Sequence, residues 1–274
     1  MLEKILLADS GTGHSEEMLK ALMDLPSIQK AAVTVLHVVS PQASAEAMTS
    51  KWEEGGKFLA TAIQSLQLDP TKVSAILRQG DPKDVVCQVA EEIDADLIIM
   101  GSRGLKRLQS ILSNSVSQYV FQLSSRPMLL VKDDIYVKKI NRIMVAIDGS
   151  EAAKQCLQLA LFLLRDIKGG QLLLVHVDKA ANSNAEQTVL APAIAQAKRQ
   201  GIQPRAIAVN GKPGEEICRI AEQEGVDLLM LGSPDRRPSI AKSFVDLDRL
   251  LGSSLSDYVR VNANCPVLLA RTVS

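Results

Sequence analysis

The chain has 274 residues, 46% hydrophobic and 23% charged, with 31 basic against 31 acidic side chains and so a formal net charge of zero. That is enough apolar material for one large domain or two ordinary ones, and the balanced charge excludes a global field that would recruit nucleic acid or an anionic membrane. No run approaches the ~18 apolar residues of a membrane span, and the start MLEKILLADSG lacks the long apolar core of a signal peptide. The expectation is a cytoplasmic chain whose partners are small molecules or proteins. Cys87, Cys156, Cys218 and Cys265 lie in apolar contexts without C-x-x-C spacing, which suits buried reduced thiols better than disulfides or zinc. Three histidines argue against a His-rich metal site.

Read in order, the first half predicts strands at Ile5 to Ala8, Ala32 to Val38, Val73 to Leu77, Leu97 to Met100 and Met128 to Val131. Helical patterns separate them: His14 to Leu25 with Met18, Leu19 and Leu22 on one face, Ala43 to Leu66, and Pro82 to Ile93 with Pro in the first turn and Val85, Val86, Val89 and Ala90 inward. Short apolar strands alternating with helices predict a parallel sheet covered on both faces, joined by right-handed crossovers. The second half repeats the first. Asp9 and His37 align with Asp148 and His176 at an offset of 139; Gly80, Pro82, Asp96 and Gly101 align with Gly211, Pro213, Asp227 and Gly232 at 131; Ser115, Ser117 and Tyr119 align with Ser254, Ser256 and Tyr258 at 139 again. The shifts place a deletion of eight residues between His176 and Gly211 and an insertion of eight between Gly232 and Ser254. Two domains follow, 1–134 and 139–274, joined near KDDIYVKK.

Ligands of such sheets bind beyond the carboxyl ends of strands where the strand order reverses, which directs attention to Asp9 and Gly101. The stretch GSRGLKRLQSILSNSVS, from Gly101 to Ser117, follows the apolar run DLIIM and leads into a helix. Small residues let backbone N–H groups approach an anion, and a helix start favours negative charge, so the stretch reads as a phosphate cradle. The same pattern also fits an ordinary strand-to-helix turn with Gly at positive φ and Ser or Asn as the cap. Lys106 and Arg107 are placed either to neutralise phosphate or simply to face solvent. Asp9 and Asp148 are candidates to accept from a ligand or to cap the following helix. Other motifs fail: Gly11-x-Gly13 lacks the third glycine of a dinucleotide fingerprint, and there is neither a P-loop nor a G-x-S-x-G elbow.

Taken together, KILLADSG, VLHVV, GDPKDVVCQVAEEIDADLIIMGSRG, NSVSQYV and SSRPMLLVK resemble a universal stress protein domain, and RIMVAIDGSEAAKQCL, LLLVHV, GKPGEEICRIAEQEGVDLLMLGS, SSLSDYV and NCPVLLAR resemble a second. The resemblance implies two tandem α/β units of the adenine nucleotide alpha hydrolase-like type, each an open twisted five-stranded parallel sheet in the order 3-2-1-4-5 with helices on both faces. The family's phosphate motif is G-x2-G-x9-G-[ST]. Gly101, Gly104 and Ser115 match it, and Asn114 stands at the last glycine, a residue that tolerates a left-handed backbone while adding bulk. By resemblance Asp9 meets the adenine or ribose, the backbone of Val38 and Met100 frames the base, and Gly101, Gly104, Ser115, Val116 and Ser117 hold phosphates, with Arg103 and Asn114 on the same loop. Strand one is one residue shorter than the family's usual spacing before that aspartate. The second-half counterparts are Asp148, Val177, Gly232, Ser253, Ser254 and Ser256. There Asp235 replaces the second glycine and Pro234 and Pro238 lack N–H donors, although Arg236 and Arg237 offset the carboxylate.

The resemblance therefore implies an ATP-binding stress or signalling protein, with the preferred ATP site in the first domain and a degenerate one in the second. Mg²⁺ is expected because triphosphates usually carry it. Slow ATP hydrolysis stays open, with no dedicated general base legible. The alternative is a nucleotide-independent scaffold for a small molecule or protein; a third class, an ATP-dependent transferase, lacks its H-x-G-H or S-G-G-x-[DS]-S motif. The family also implies an intrachain pseudo-dimer in which Met128 to Val131 pairs with Val267 to Ala270 and covers two sheet edges. Homodimers of the whole chain stay open.

Overall fold

The structure, a computed structural model, describes residues 2–11, 14–102, 115–178, 186–233 and 254–271. The first half runs β1 (Lys4–Ala8), α1 (Ser15–Met23), β2 (Ala32–Val39), α2 (Ala45–Leu66), β3 (Val73–Gln79), α3 (Pro82–Glu92), β4 (Leu97–Ser102), α4 (Val116–Leu123) and β5 (Met128–Lys132). The second repeats it as β6 (Arg142–Ala146), α5 (Glu151–Leu164), β7 (Gln171–Asp178), α6 (Ala191–Arg199), β8 (Arg205–Asn210), α7 (Pro213–Gln223), β9 (Leu228–Ser233), α8 (Leu255–Asn262) and β10 (Val267–Arg271). Local chemistry sets the helix starts. Asp81 accepts from the Lys83 N–H at 2.9 Å while Pro82 sits at the first turn, where its missing donor costs nothing. The eight-residue deletion falls where α6, with nine residues after a short π turn at Glu186–Leu190, takes the place of the 22-residue α2.

Each half is a parallel sheet in the order 3-2-1-4-5, and β5 pairs antiparallel with β10 through Leu130–Val267, Leu129–Leu268 and Met128–Leu269. The product is one mixed ten-stranded sheet, β3-β2-β1-β4-β5-β10-β9-β6-β7-β8. Every residue of β5 and of β10 is buried, so the junction removes two apolar edges from water. Strand alternation sends one set of side chains to each face. Ile5, Leu7, Ile99, Leu129, Leu268 and Met230 pack beneath α1, α2, α5 and α6, while Leu6, Ile98, Leu130, Leu269 and Leu229 pack beneath α3, α4, α7 and α8. Both core layers run unbroken across the junction. Because the halves meet antiparallel, the carboxyl ends of their strands open at opposite ends of the sheet.

The repeat in three dimensions corrects one expected alignment. Ala8 pairs with Leu36, and Ala146 pairs with Val175. Asp96 anchors the N–H groups of Glu3 and Lys4, and Asp227 those of Asn141 and Arg142. Gly11 and Gly149 take matching φ values of 82° and 83°. Strand one is therefore offset by 138, so Asp9 corresponds to Ile147, and Asp148 corresponds to Ser10. The cause is the one-residue shortening, and since successive side chains alternate faces, a slip of one turns the carboxylate away from its expected side.

The four cysteines are free, Cys156 and Cys265 fully buried and Cys87 and Cys218 partly so. Burial pushes the Cys265 thiol up to about 12 and the Cys218 thiol to about 11, which leaves them protonated and unreactive at neutral pH.

Candidate functional site

Above the carboxyl ends of β1, β2 and β4 lies a cavity of about 410 Å³. This is the point at which β1 is flanked by β2 on one side and β4 on the other, where the strand order reverses. The strand ends contribute Ala8, Asp9, Ser10, Leu36, Val38, Met100, Gly101 and Ser102; the start of α4 contributes Ser115, Val116 and Ser117. Of the residues expected from sequence, Asp9, Val38, Met100, Gly101, Ser115, Val116 and Ser117 thus meet at one place. Arg103, Gly104 and Asn114 lie outside the described residues. Pro82 and Val86 of α3 and Asp133 just past β5 complete the wall and were not expected there. Val86 was legible as an inward residue, but only the packing of α3 over β4 turns part of that face toward a cavity.

The helix start carries the polar end. Ser115 caps α4, its Oγ accepting from the Gln118 N–H at 3.3 Å, with Ser117 Oγ 3.5 Å away. Both serines are buried. The first N–H groups of α4 have no partner within the helix, so with the helix dipole they present positive potential to whatever occupies the cavity. Leu36, Val38, Val86 and Met100 supply an apolar wall, the kind of surface a flat base packs against.

Asp9 is held at its backbone by an N–H bond to Leu36 O (3.0 Å) and by His37 Nδ1 donating to its carbonyl (2.9 Å). Its carboxyl accepts from the Gly11 N–H at 2.9 Å and shares a hydrogen bond with Glu16 of α1, which in turn meets Ser65. Burial pushes its pKa up to about 6; the Gly11 bond opposes the shift, and the charges of Glu16 and Glu17 add to it. The carboxyl of Asp9 thus faces the α1 side, as the one-residue slip requires.

The second half arranges the same elements differently. Asp148 is exposed, and its Oδ1 accepts from the Ser150 N–H at 2.9 Å. His176 Nδ1 donates to the Ile147 carbonyl at 2.7 Å, and Val177 is half-buried on β7. A Cβ on Gly232 would stand 2.3 Å from the backbone of Ala152, so this glycine lets the start of α5 rest directly on β9. Ser254 caps α8, but its Oγ also donates to Asp257 Oδ2 at 2.8 Å. Asp257 is buried, and Arg260 lies 3.7 Å from its other oxygen. In the first half the same places hold Gln118 and Phe121. The start of α8 thus carries a buried carboxylate beside Arg260 where the start of α4 has an amide. Ser253 lies outside the described residues.

The universal stress protein family model matches residues 1–132 and again residues 139–271. The chain belongs to the universal stress protein family. It is a tandem universal stress protein, with two family domains in one chain. The curated universal stress protein YxiE of Bacillus subtilis is 29% identical over 148 residues, covering 48% of this chain and all of its own length. A universal stress protein of Archaeoglobus fulgidus matches 99% of this chain and 97% of its own with a TM-score of 0.77 at 23% identity, which shows that the tandem fold is shared. A family protein from Arabidopsis thaliana, solved with AMP bound, matches 49% of this chain and 93% of its own at 20% identity and a TM-score of 0.37. Among the described residues no helix is long and apolar enough to cross a membrane, and no three metal-binding side chains converge.

Proposed function

We propose that this tandem universal stress protein binds one adenine nucleotide, preferentially ATP, in the first-half cavity and changes its partners with occupancy. The observation that carries the reading is the convergence, around one cavity of about 410 Å³, of an apolar wall and the capped start of α4. The base would lie against Val38 and Met100 and the phosphates at Ser115, Val116 and Ser117. With Asp9 turned toward α1, Ser10 is the side chain placed for the sugar. Asp133 at the cavity wall is a hard oxygen donor of the type Mg²⁺ prefers and would accompany a triphosphate-bound ion.

The second half reads as an altered site. Asp257, bonded to Ser254 and held beside Arg260, would set a carboxylate near any phosphate at that helix start, and the buried pair leaves no net positive charge to draw one in. That asymmetry supports one ATP per chain. It is tested by exchanging the two residues. Gln118→Asp keeps a helix-compatible residue at the third position of α4 and should weaken ATP binding by about tenfold or more. Asp257→Gln should admit a second, weaker nucleotide to the second half while leaving the first site unchanged. Calorimetric stoichiometry and nucleotide release from the denatured chain read the result. Two equivalent ATP molecules per chain, or a variant in the second half that weakens binding more than the one in the first, would refute the reading.

A further inference from the structure

A second cavity of about 500 Å³ opens between the halves, beneath the amino ends of β1 and β4 and against α5. Most of its wall is apolar, with Leu2 on one side and Leu159 and Phe162 of α5 on the other. Two guanidinium residues, Arg126 and Arg271, also line it. Both lie at the β5–β10 junction, Arg126 two residues before β5 and Arg271 the last residue of β10.

The pseudo-two-fold shows which arginine the fold uses. Arg271 donates to the Phe121 carbonyl at the end of α4 and stacks 4.0 Å over the Phe121 ring. Its counterpart Lys132 does the same at the end of α8, with Nζ 2.6 Å from Val261 O and 2.5 Å from Ala263 O. At the position that matches Arg126 in the second half stands Cys265, not a second cation. Arg126 is therefore an added charge that the junction does not require. It meets Asp94 at 2.8 Å, in a pair whose carboxylate side is 70% exposed, and its buried Nε has no partner among the described residues. Asp96, the one acid on the wall, is turned to the Glu3 and Lys4 N–H groups at 2.7 and 2.9 Å.

We propose that this cleft binds a small organic carboxylate with an apolar body, the carboxylate between Arg126 and Arg271 and the body against Leu159 and Phe162. A guanidinium fork matches a carboxylate in geometry, and two of them line this one cleft. An apolar pocket with a few convergent charged groups is the usual form of a small-molecule site.

Calorimetric titration of the full chain with octanoate, octanol and acetate tests this. Octanoate should bind at one site per chain, about tenfold or more tighter than either of the others, because only it supplies both the charge and the chain. Arg126→Gln should weaken it by about tenfold, as should Gln158→Glu, which adds a repelling carboxylate on an exposed position of the wall. Both variants should melt at the wild-type temperature, since the fold already accepts a neutral Cys265 in the matching place. Equal affinity for octanol, octanoate affinity that neither variant changes, or no binding at millimolar octanoate would each overturn the proposal.

Discussion

Asp9 is the residue at which a shift of one position matters most. Its folded-state pKa of about 6 lies above the 3.8 of an unperturbed aspartate, so between these values the folded chain holds a proton that the unfolded chain has released. Its contribution to stability is therefore present below about pH 4 and is lost as pH rises through about 6. Asp9→Asn keeps an oxygen for the Gly11 N–H and removes the charge. It should be more stable than the wild type at neutral pH by up to about 3 kcal/mol and no more stable in acid. Urea midpoints across that range measure the difference, and identical pH slopes would contradict it. Gly232 is decided by space alone. With α5 backbone 2.3 Å from the position of a Cβ, Gly232→Ala should cost about 1–3 kcal/mol through overpacking, read as a lower thermal midpoint. A loss of nucleotide binding in that variant would thus report on packing, so Gln118 and Asp257 are the cleaner probes of the two sites.

Among the elements, α4 and α8 show how one motif serves two ends. Each is capped by a serine, Ser115 and Ser254, and each ends against a cation from the other half, Arg271 and Lys132. The amino end of α4 faces the cavity, and its carboxyl end is tied to the second domain. A cation at a helix carboxyl end complements the dipole and satisfies carbonyls that the helix leaves open. Lys132 does this while buried, at the cost of a pKa pushed down by desolvation. Lys132→Met keeps the length of the chain and removes the ammonium. It should cost about 1–3 kcal/mol by leaving the Val261 and Ala263 carbonyls unpaired, seen as a lower urea midpoint. An unchanged midpoint would show that the cap contributes nothing.

At the scale of the molecule, the antiparallel junction gives the chain its asymmetry as well as its unity. It merges the two cores into continuous layers on either face of one sheet. It also places Lys132 and Asp133, adjacent in sequence, in two different roles: Lys132 reaches the second domain and Asp133 lines the first-half cavity. At the opposite end it brings Arg271 and Arg126 to the wall of one cleft beneath the first sheet. The octanoate titration belongs to this scale, because neither half alone holds both arginines.

Much of this was legible in the residues. The alternation of short apolar runs with helical periods specified two parallel five-stranded units, because burial on both faces leaves a strand no polar side. The pairing of β5 with β10 was expected from the family resemblance. The stretch from Gly101 to Ser117 was legible as a cradle because it joins a strand end to a helix start, whereas Val38, Met100 and Val116 were placed beside it by the family resemblance. What only the tertiary structure decided was direction and distance. Asp9 and Asp148 look equivalent in sequence, yet hydrogen-bond register sets Asp9 against Ile147, since a strand shortened by one residue reverses its faces. Gln118 and Asp257 are visibly different in sequence, but the difference gains meaning only where Asp257 bonds the serine that caps its helix. Arg126 and Arg271 are 145 positions apart in the chain; only the junction of the two sheets brings both to one cleft, because proximity across a sheet depends on pairing and not on separation along the chain.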